Sequence, residues 1–154
     1  MTAIGWFERL GGSAPGRWLF SRIVCLRAPY FSSIAPRIQM LVPGHCVVRV
    51  RDRRRVHNHL GTIHAIALCN AAELAAGLAI DAALELTLRW IPKGMQVNYL
   101  KPARGALSVT ASVPSISAEA VPGECAVNVE ARDAAGEAVF TATIAMWISH
   151  RRNG

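Results

Sequence analysis

Apolar and polar residues alternate in "AVFTATIAMWI". Phe140, Ala142, Ile144, Met146 and Ile148 fall on one face of an extended chain, and Thr141, Thr143 and Trp147 on the other. That period predicts a half-buried strand over 137–149. Comparable runs predict strands at 37–42, 46–56, 88–101, 105–114 and 123–132, punctuated by "PGH", "KPARGA", "SAEAVPGE" and "RDAAGEA". The last four strands read as an antiparallel meander. Between the second and third strands the pattern changes. Residues 64–80 are apolar all round, as in a buried helix, with Asn58, Gly61 and Thr62 before the start and Gly77 and Asp81 marking the end. Residues 1–35 form two amphipathic helical pieces broken by "GGSAPG". The order calls for an α+β domain over 36–154, a curved antiparallel sheet wrapped around one long buried helix, with an N-terminal helical extension over 1–35.

The buried helix raises a question of charge. "NHLGTIHAIALCNAAELAAG" carries one glutamate, Glu73, and no Lys or Arg lies between Arg55 and Arg89. An isolated carboxylate in apolar surroundings is costly unless it is hydrogen-bonded, neutralised or kept for chemistry. A structural carboxylate bonded to Asn70 or to backbone groups is the plainer reading.

Composition narrows the setting. The 154 residues, 52% of them hydrophobic, suit one domain and exclude disorder, and no run of about 20 uncharged apolar residues predicts a membrane span. Glu8 and Arg9 interrupt the segment where a secretory signal would be apolar, so the expected compartment is the cytoplasm. Cys25, Cys46, Cys69 and Cys125 lack metal or redox spacing and read as small buried hydrophobes with free thiols. His57, His59 and His64 come without further ligands, so no metal site is expected.

The formal charge of +7 favours anionic partners without choosing among them. Arg49, Arg51, Arg53 and Arg55 would share one face of a strand, as a solvated face or as a phosphate patch. No aromatic residue interleaves them, so no nucleic-acid partner is expected. The N-terminal helices combine Trp6, Phe7, Trp18 and Phe20 with Arg9, Arg17, Arg22 and Arg27. Packing onto the domain as a lid comes first. Peripheral membrane contact through residues 1–30 is the alternative.

At fixed distances before Glu73 stand Asn58, Gly61 and His64. Here the chain resembles the hotdog-fold acyl-CoA thioesterases, whose pattern N-x-x-G-x-x-H-G-G is followed by Leu-Ala-Asp or Leu-Ala-Glu. This chain reads "NHLGTIHAI" and then "NAAELAAG". It also resembles an uncharacterised thioesterase-like bacterial branch through "HNHLGTIHA", "AELAAG" and "RWIPKGMQVNYLKPARG", over about 40–149. The resemblance implies a hotdog fold and a homodimer or tetramer. It makes Glu73 the nucleophile or general base, Asn58 the residue that positions substrate or water, and His64 the histidine at the helix start. It gives Ala65 the place of a glycine whose backbone N–H polarises the thioester carbonyl. Gly61 would belong to the substrate-binding loop. Lys93, Lys101 and Arg104 would meet the phosphates of coenzyme A, or serve as ordinary solvated turn charges.

Ala65 and Glu73 are eight residues apart, about 12 Å of rise and roughly 80° of rotation along one helix. One helix cannot easily aim both at one carbonyl. The resemblance resolves this with a two-fold dimer, in which the helix start of one subunit faces the acid of the other. The expected activity is hydrolysis of an acyl thioester carried by coenzyme A or an acyl carrier protein. No cofactor is expected beyond the coenzyme A of the substrate. A hotdog protein that binds acyl-CoA or a fatty acyl chain without turnover is the second reading, favoured by Ala65. A dehydratase using His64 and Glu73 is the third.

Overall fold

The computed structural model describes residues 2–114, 116 and 121–151. Two helices open it, α1 (Ala3–Leu10) and α2 (Ala14–Arg27), followed by a 3-10 helix at Pro29–Ile34. Ser13 caps α2 by accepting the Gly16 N–H at 3.1 Å, and a proline sits in the first turn, so the break at "GGSAPG" is also a helix start. The strands are β1 (Arg37–Val42), β2 (His45–Val50), β3 (Leu88–Tyr99), β4 (Leu107–Ser112), β5 (Gly123–Arg132) and β6 (Ala138–His150). Most of the "SAEAVPGE" turn lies outside the described residues.

The long helix α3 (Ala65–Ala83) lies against the concave side of the sheet, on β2, β4 and β5 above all. Twelve of its 19 residues are buried. Ala71, Ala72, Ala75, Ala76 and Ala79 are fully inaccessible, and side chains this small let the helix axis approach the strands closely. Leu68, Leu74 and Ile80 fill the remaining space, each stabilising the fold by about 1.5–3 kcal/mol through burial. Phe140, Ala142, Ile144, Met146 and Ile148 all face this core, as their alternation requires. With its six antiparallel strands around one central helix, this is the hotdog fold.

Three expectations about these elements need correcting. All strands are antiparallel, but their order is β1-β2-β4-β5-β6-β3. Only β4, β5 and β6 form a meander. The connection after β3 leaves the edge and crosses the sheet end, bonding Leu100 N–H to Val139 O and Ala103 O to Ile63 N–H on the way. Gly77 does not end the helix. A Cβ there would stand 2.8 Å from Cη2 of Trp90, so this glycine admits an indole against the helix rather than stopping it. Nor do the four arginines share a strand face, since β2 stops at Val50. Beyond it Asp52 accepts the Gly105 N–H of the β3–β4 connection, and Arg53 Nη2 donates to Ile34 O at 3.4 Å.

Cys25, Cys46 and Cys125 are buried, and burial raises their thiol pKa values, that of Cys46 to about 12. Cys69 differs from the expectation in being only half-buried. The one described helix long and apolar enough to cross a membrane is α3, which forms the core here.

Candidate active site

The loop before α3 is organised by Asn58. Its Oδ1 accepts the N–H groups of Leu60 at 3.0 Å and Thr62 at 3.1 Å, and its Nδ2 donates to Thr62 Oγ1 at 2.9 Å. Asn58 therefore shapes the loop that leads into the helix. Gly61 is needed within that loop because its φ of +69° lies in the left-handed region. Backbone bonds from Ile63 N–H to Ala103 O at 2.9 Å and from His64 N–H to Val56 O at 2.8 Å fix where the helix begins.

At that start His64 is the cap. Its Nδ1 accepts the Ile66 N–H at 3.0 Å, while its carbonyl accepts from Ala67 and Leu68. The Ala65 N–H has no partner among the described residues. A free donor at the head of a 19-residue helix is a ready place for developing negative charge.

Beside it lies a cavity of about 160 Å³ bordered by Tyr30, Arg55, His57, His64 and Asn70. Asn70 is 6% exposed. Its Nδ2 donates to Ser33 Oγ at 2.9 Å, but its Oδ1 is buried without a hydrogen-bond partner among the described residues. His57 donates through Nε2 to Asp52 Oδ1, and Asp52 Oδ2 accepts the Gly105 N–H at 2.6 Å. The bond from His57 holds the Asp52 carboxyl below its ordinary pKa, against partial burial and with help from Gly105. Nothing in the spacing of Asp52, His57 and Gly105 announced this latch, because its third member is about 50 residues away.

Glu73 occupies a different place. Half-buried, it borders an apolar cavity of about 340 Å³ between α3, Trp90 and the N-terminal segment, which contributes Val24, Ala28 and Phe31. No side-chain hydrogen bond or ion pair engages it among the described residues. It is thus neither fully buried nor bonded to Asn70. One turn earlier on α3, Cys69 Sγ lies 3.3 Å from Tyr99 Oη. That bond, followed by partial burial, pushes the Tyr99 pKa up to about 12.

The structure therefore brings Asn58, Gly61, His64 and Ala65 together and leaves Glu73 apart within the same chain. The three basic residues are dispersed. Lys93 Nζ sits 5.3 Å from the centroid of the Trp147 ring, Lys101 Nζ lies 3.0 Å from Asp133 Oδ2 and 3.7 Å from Glu137, and Arg104 is exposed near Asp52. Among the described residues, no three His, Cys, Asp or Glu groups converge as metal ligands.

Fold and site thus define a hotdog domain with an acid-bearing central helix. The chain belongs to the family described as Domain of unknown function (DUF4442), whose profile matches residues 16–148. It is similar to the crystal structure of a genomics protein, APC5556, with 39% identity over 97% of this chain and 98% of that one, at a TM-score of 0.83. A thioesterase family protein from Silicibacter pomeroyi has the same fold, with a TM-score of 0.73 at 21% identity over 85% of this chain and 96% of its own. So does a thioesterase from Haemophilus influenzae, with a TM-score of 0.71 at 13% identity over 81% and 87%. No curated protein sequence matches the chain.

Proposed function

We propose that this protein hydrolyses acyl thioesters of coenzyme A or an acyl carrier protein, in a site completed by two copies of the chain. The observation that carries the reading is Glu73, a carboxylate with no bonded partner among the described residues in the wall of an apolar cavity. Such a group is available to take a proton from water. The oxygen of that water adds to the thioester carbonyl, and the oxyanion that forms is met by the free Ala65 N–H of the partner subunit. The C–S bond then breaks, and the thiolate leaves as thiol with the proton Glu73 had taken. Similarity to proteins called thioesterases supports this choice of chemistry.

The need for a second copy follows from the 12 Å between the two halves along α3. The open sheet edge offers the means. Because Leu100 N–H bonds Val139 O, alternation along the ladder turns the backbone groups of Asn98 and Gln96 toward β6 and those of Tyr99, Val97 and Met95 away from the sheet. The first half of β3 is guarded by Pro92, Lys93 and a bulge before Gly94, whereas 95–99 is regular. Antiparallel pairing of 95–99 with its copy would place the two α3 helices side by side.

The test is release of free thiol from a panel of acyl-CoA esters by wild type and by Glu73→Gln, with circular dichroism to verify folding. Release by wild type alone is expected. Equal release by both excludes Glu73 as the base. The second reading, a non-catalytic acyl carrier, is favoured by the methyl group of Ala65 where the family resembled carries glycine. It is the outcome if acyl-CoA binds and no thiol appears.

A further inference from the structure

The cavity beside Glu73 has a direction. Its floor runs along α3 through Leu74, Gly77 and Leu78 to Asp81, with Trp90 to one side and Val24 and Phe31 on the side of the N-terminal segment. Glu73 and Asp81 are eight residues apart, so the apolar stretch between the carboxylates is about 12 Å long. Beyond Asp81 lies a second cavity of about 450 Å³, bordered by Trp6, Phe20, Ile23 and Leu88 and, at its polar side, by Glu85 and Arg151, and Ala3, Val24, Arg27 and Asp81 border both cavities.

Asp81 is out of place on stability grounds. It stands in the last turn of α3, which carries no basic residue, where the helix dipole disfavours negative charge. It is half-buried, and no side-chain hydrogen bond or ion pair engages it among the described residues. A leucine there would extend the apolar floor at no electrostatic penalty.

We propose that the apolar trough from Glu73 to Asp81 holds the acyl chain of the substrate, and that Asp81 sets the chain length by barring passage into the second cavity. This rests on the hydrolase reading and adds its substrate class, medium-length acyl groups. A volume of about 340 Å³ is at the low end of the ~300–1,000 Å³ range of small-ligand pockets. A longer chain would have to bury methylenes against the polar pair of residues at the end of the trough, the Asp81 carboxyl and the Arg27 guanidinium, which is unfavourable. Trp90 sets the width. Because a Cβ on Gly77 would stand 2.8 Å and 3.2 Å from its ring atoms, Gly77→Ala displaces the indole and changes the bore of the trough.

The experiment compares butanoyl-, octanoyl- and palmitoyl-CoA with wild type, Asp81→Leu and Gly77→Ala. Equilibrium dialysis of octanoic and palmitic acids against Glu73→Gln and the Glu73→Gln, Asp81→Leu double variant runs in parallel. Wild type should prefer octanoyl-CoA. Asp81→Leu should raise the palmitoyl to octanoyl ratio of kcat/KM about tenfold, the scale of discrimination by a hydrophobic pocket. It should also melt no lower than wild type. Gly77→Ala should lower octanoyl turnover relative to butanoyl.

Active enzyme whose chain-length profile neither substitution moves would overturn the trough while leaving the hydrolase reading intact. Absence of turnover, with octanoic acid still bound and palmitic acid gained by the Asp81→Leu double variant, would overturn the hydrolase reading and support the trough. If Asp81→Leu does not fold, Asp81→Asn replaces it, with a smaller shift in the same direction expected and an unchanged ratio counting against the proposal.

Discussion

At its first turn α3 is held by polar contacts: Asn58 on Thr62, His64 on Ile66, Asp52 on His57 and Gly105. Two turns further on, around Glu73, the surroundings are apolar and are supplied by Val24, Phe31 and Trp90. The first region has a free N–H and no acid positioned against it. The second has an acid that no donor bonds among the described residues. In the proposed reaction each supplies half of the site, and along one straight helix the halves stay about 12 Å apart. The proposed dimer would use the difference between the two sheet edges: β3 is open, while β1 is tied to α2 by the Ile38 N–H bonded to Ser21 Oγ at 2.9 Å.

The contrast breaks most sharply at Glu73. Glu73→Gln keeps the shape of the side chain and removes the base, so thiol release should fall by about 10²–10⁴, the usual contribution of a general base, with an unchanged circular dichroism spectrum. A smaller drop would move the base function elsewhere. The next largest effect concerns the edge. Val97→Pro removes an outward-facing N–H without cutting the ladder to β6, whereas Val97→Ala removes comparable packing and keeps the donor. Sedimentation should find a monomer for the proline variant and a dimer for the alanine variant, with activity lost only in the former. A dimeric, active Val97→Pro protein would place the interface elsewhere.

The sequence revealed one of these regions more fully than the other. Strand alternation and an apolar helix are local patterns, so the fold class and the ends of β1 and β5 could be read directly. The loop residues Asn58, Gly61 and His64 could be read too, because one contiguous segment carries them. The surroundings of Glu73 could not. Its cavity is assembled from residues 24–31, Gly77 and Trp90, which only tertiary packing brings together. The same is true of the Asp52, His57 and Gly105 latch, and of β3 lying beside β6 instead of β4. Gly77 misled for a physical reason: close approach of a ring and termination of a helix both select glycine.

Mixing tests whether the two halves come from different copies. Glu73→Gln chains retain the helix start, and Asn58→Ala chains retain the acid while their loop loses the bonds that shape it. Each homodimer should be nearly inactive. Refolded together at equal amounts, half the dimers should be mixed with one intact site each, restoring about a quarter of wild-type turnover. Mixed dimers without recovery would assign Asn58 and Glu73 to sites within single chains.

The smallest effect isolates the latch at the helix start. In the folded protein the Asp52 carboxyl titrates below its ordinary value of 3.8, chiefly because His57 bonds to it. A lowered carboxylate pKa contributes stability that is present above the unfolded value and is lost as pH falls through the folded one. Asp52→Asn should therefore unfold more easily at neutral pH by about 1 kcal/mol, a melting shift of about 2–4 °C. The gap to wild type should close in acid, below the carboxylate range, where Asp52 is protonated in both states. Because Gly105 and His57 join the loop to the β3–β4 connection, the substitution should also loosen the position of the Ala65 N–H and lower kcat while leaving the palmitoyl to octanoyl preference unchanged. Thermal melts at both pH values, taken with the chain-length profile, check this. A gap that persists in acid would mean that packing, rather than the charge of Asp52, holds the start of α3.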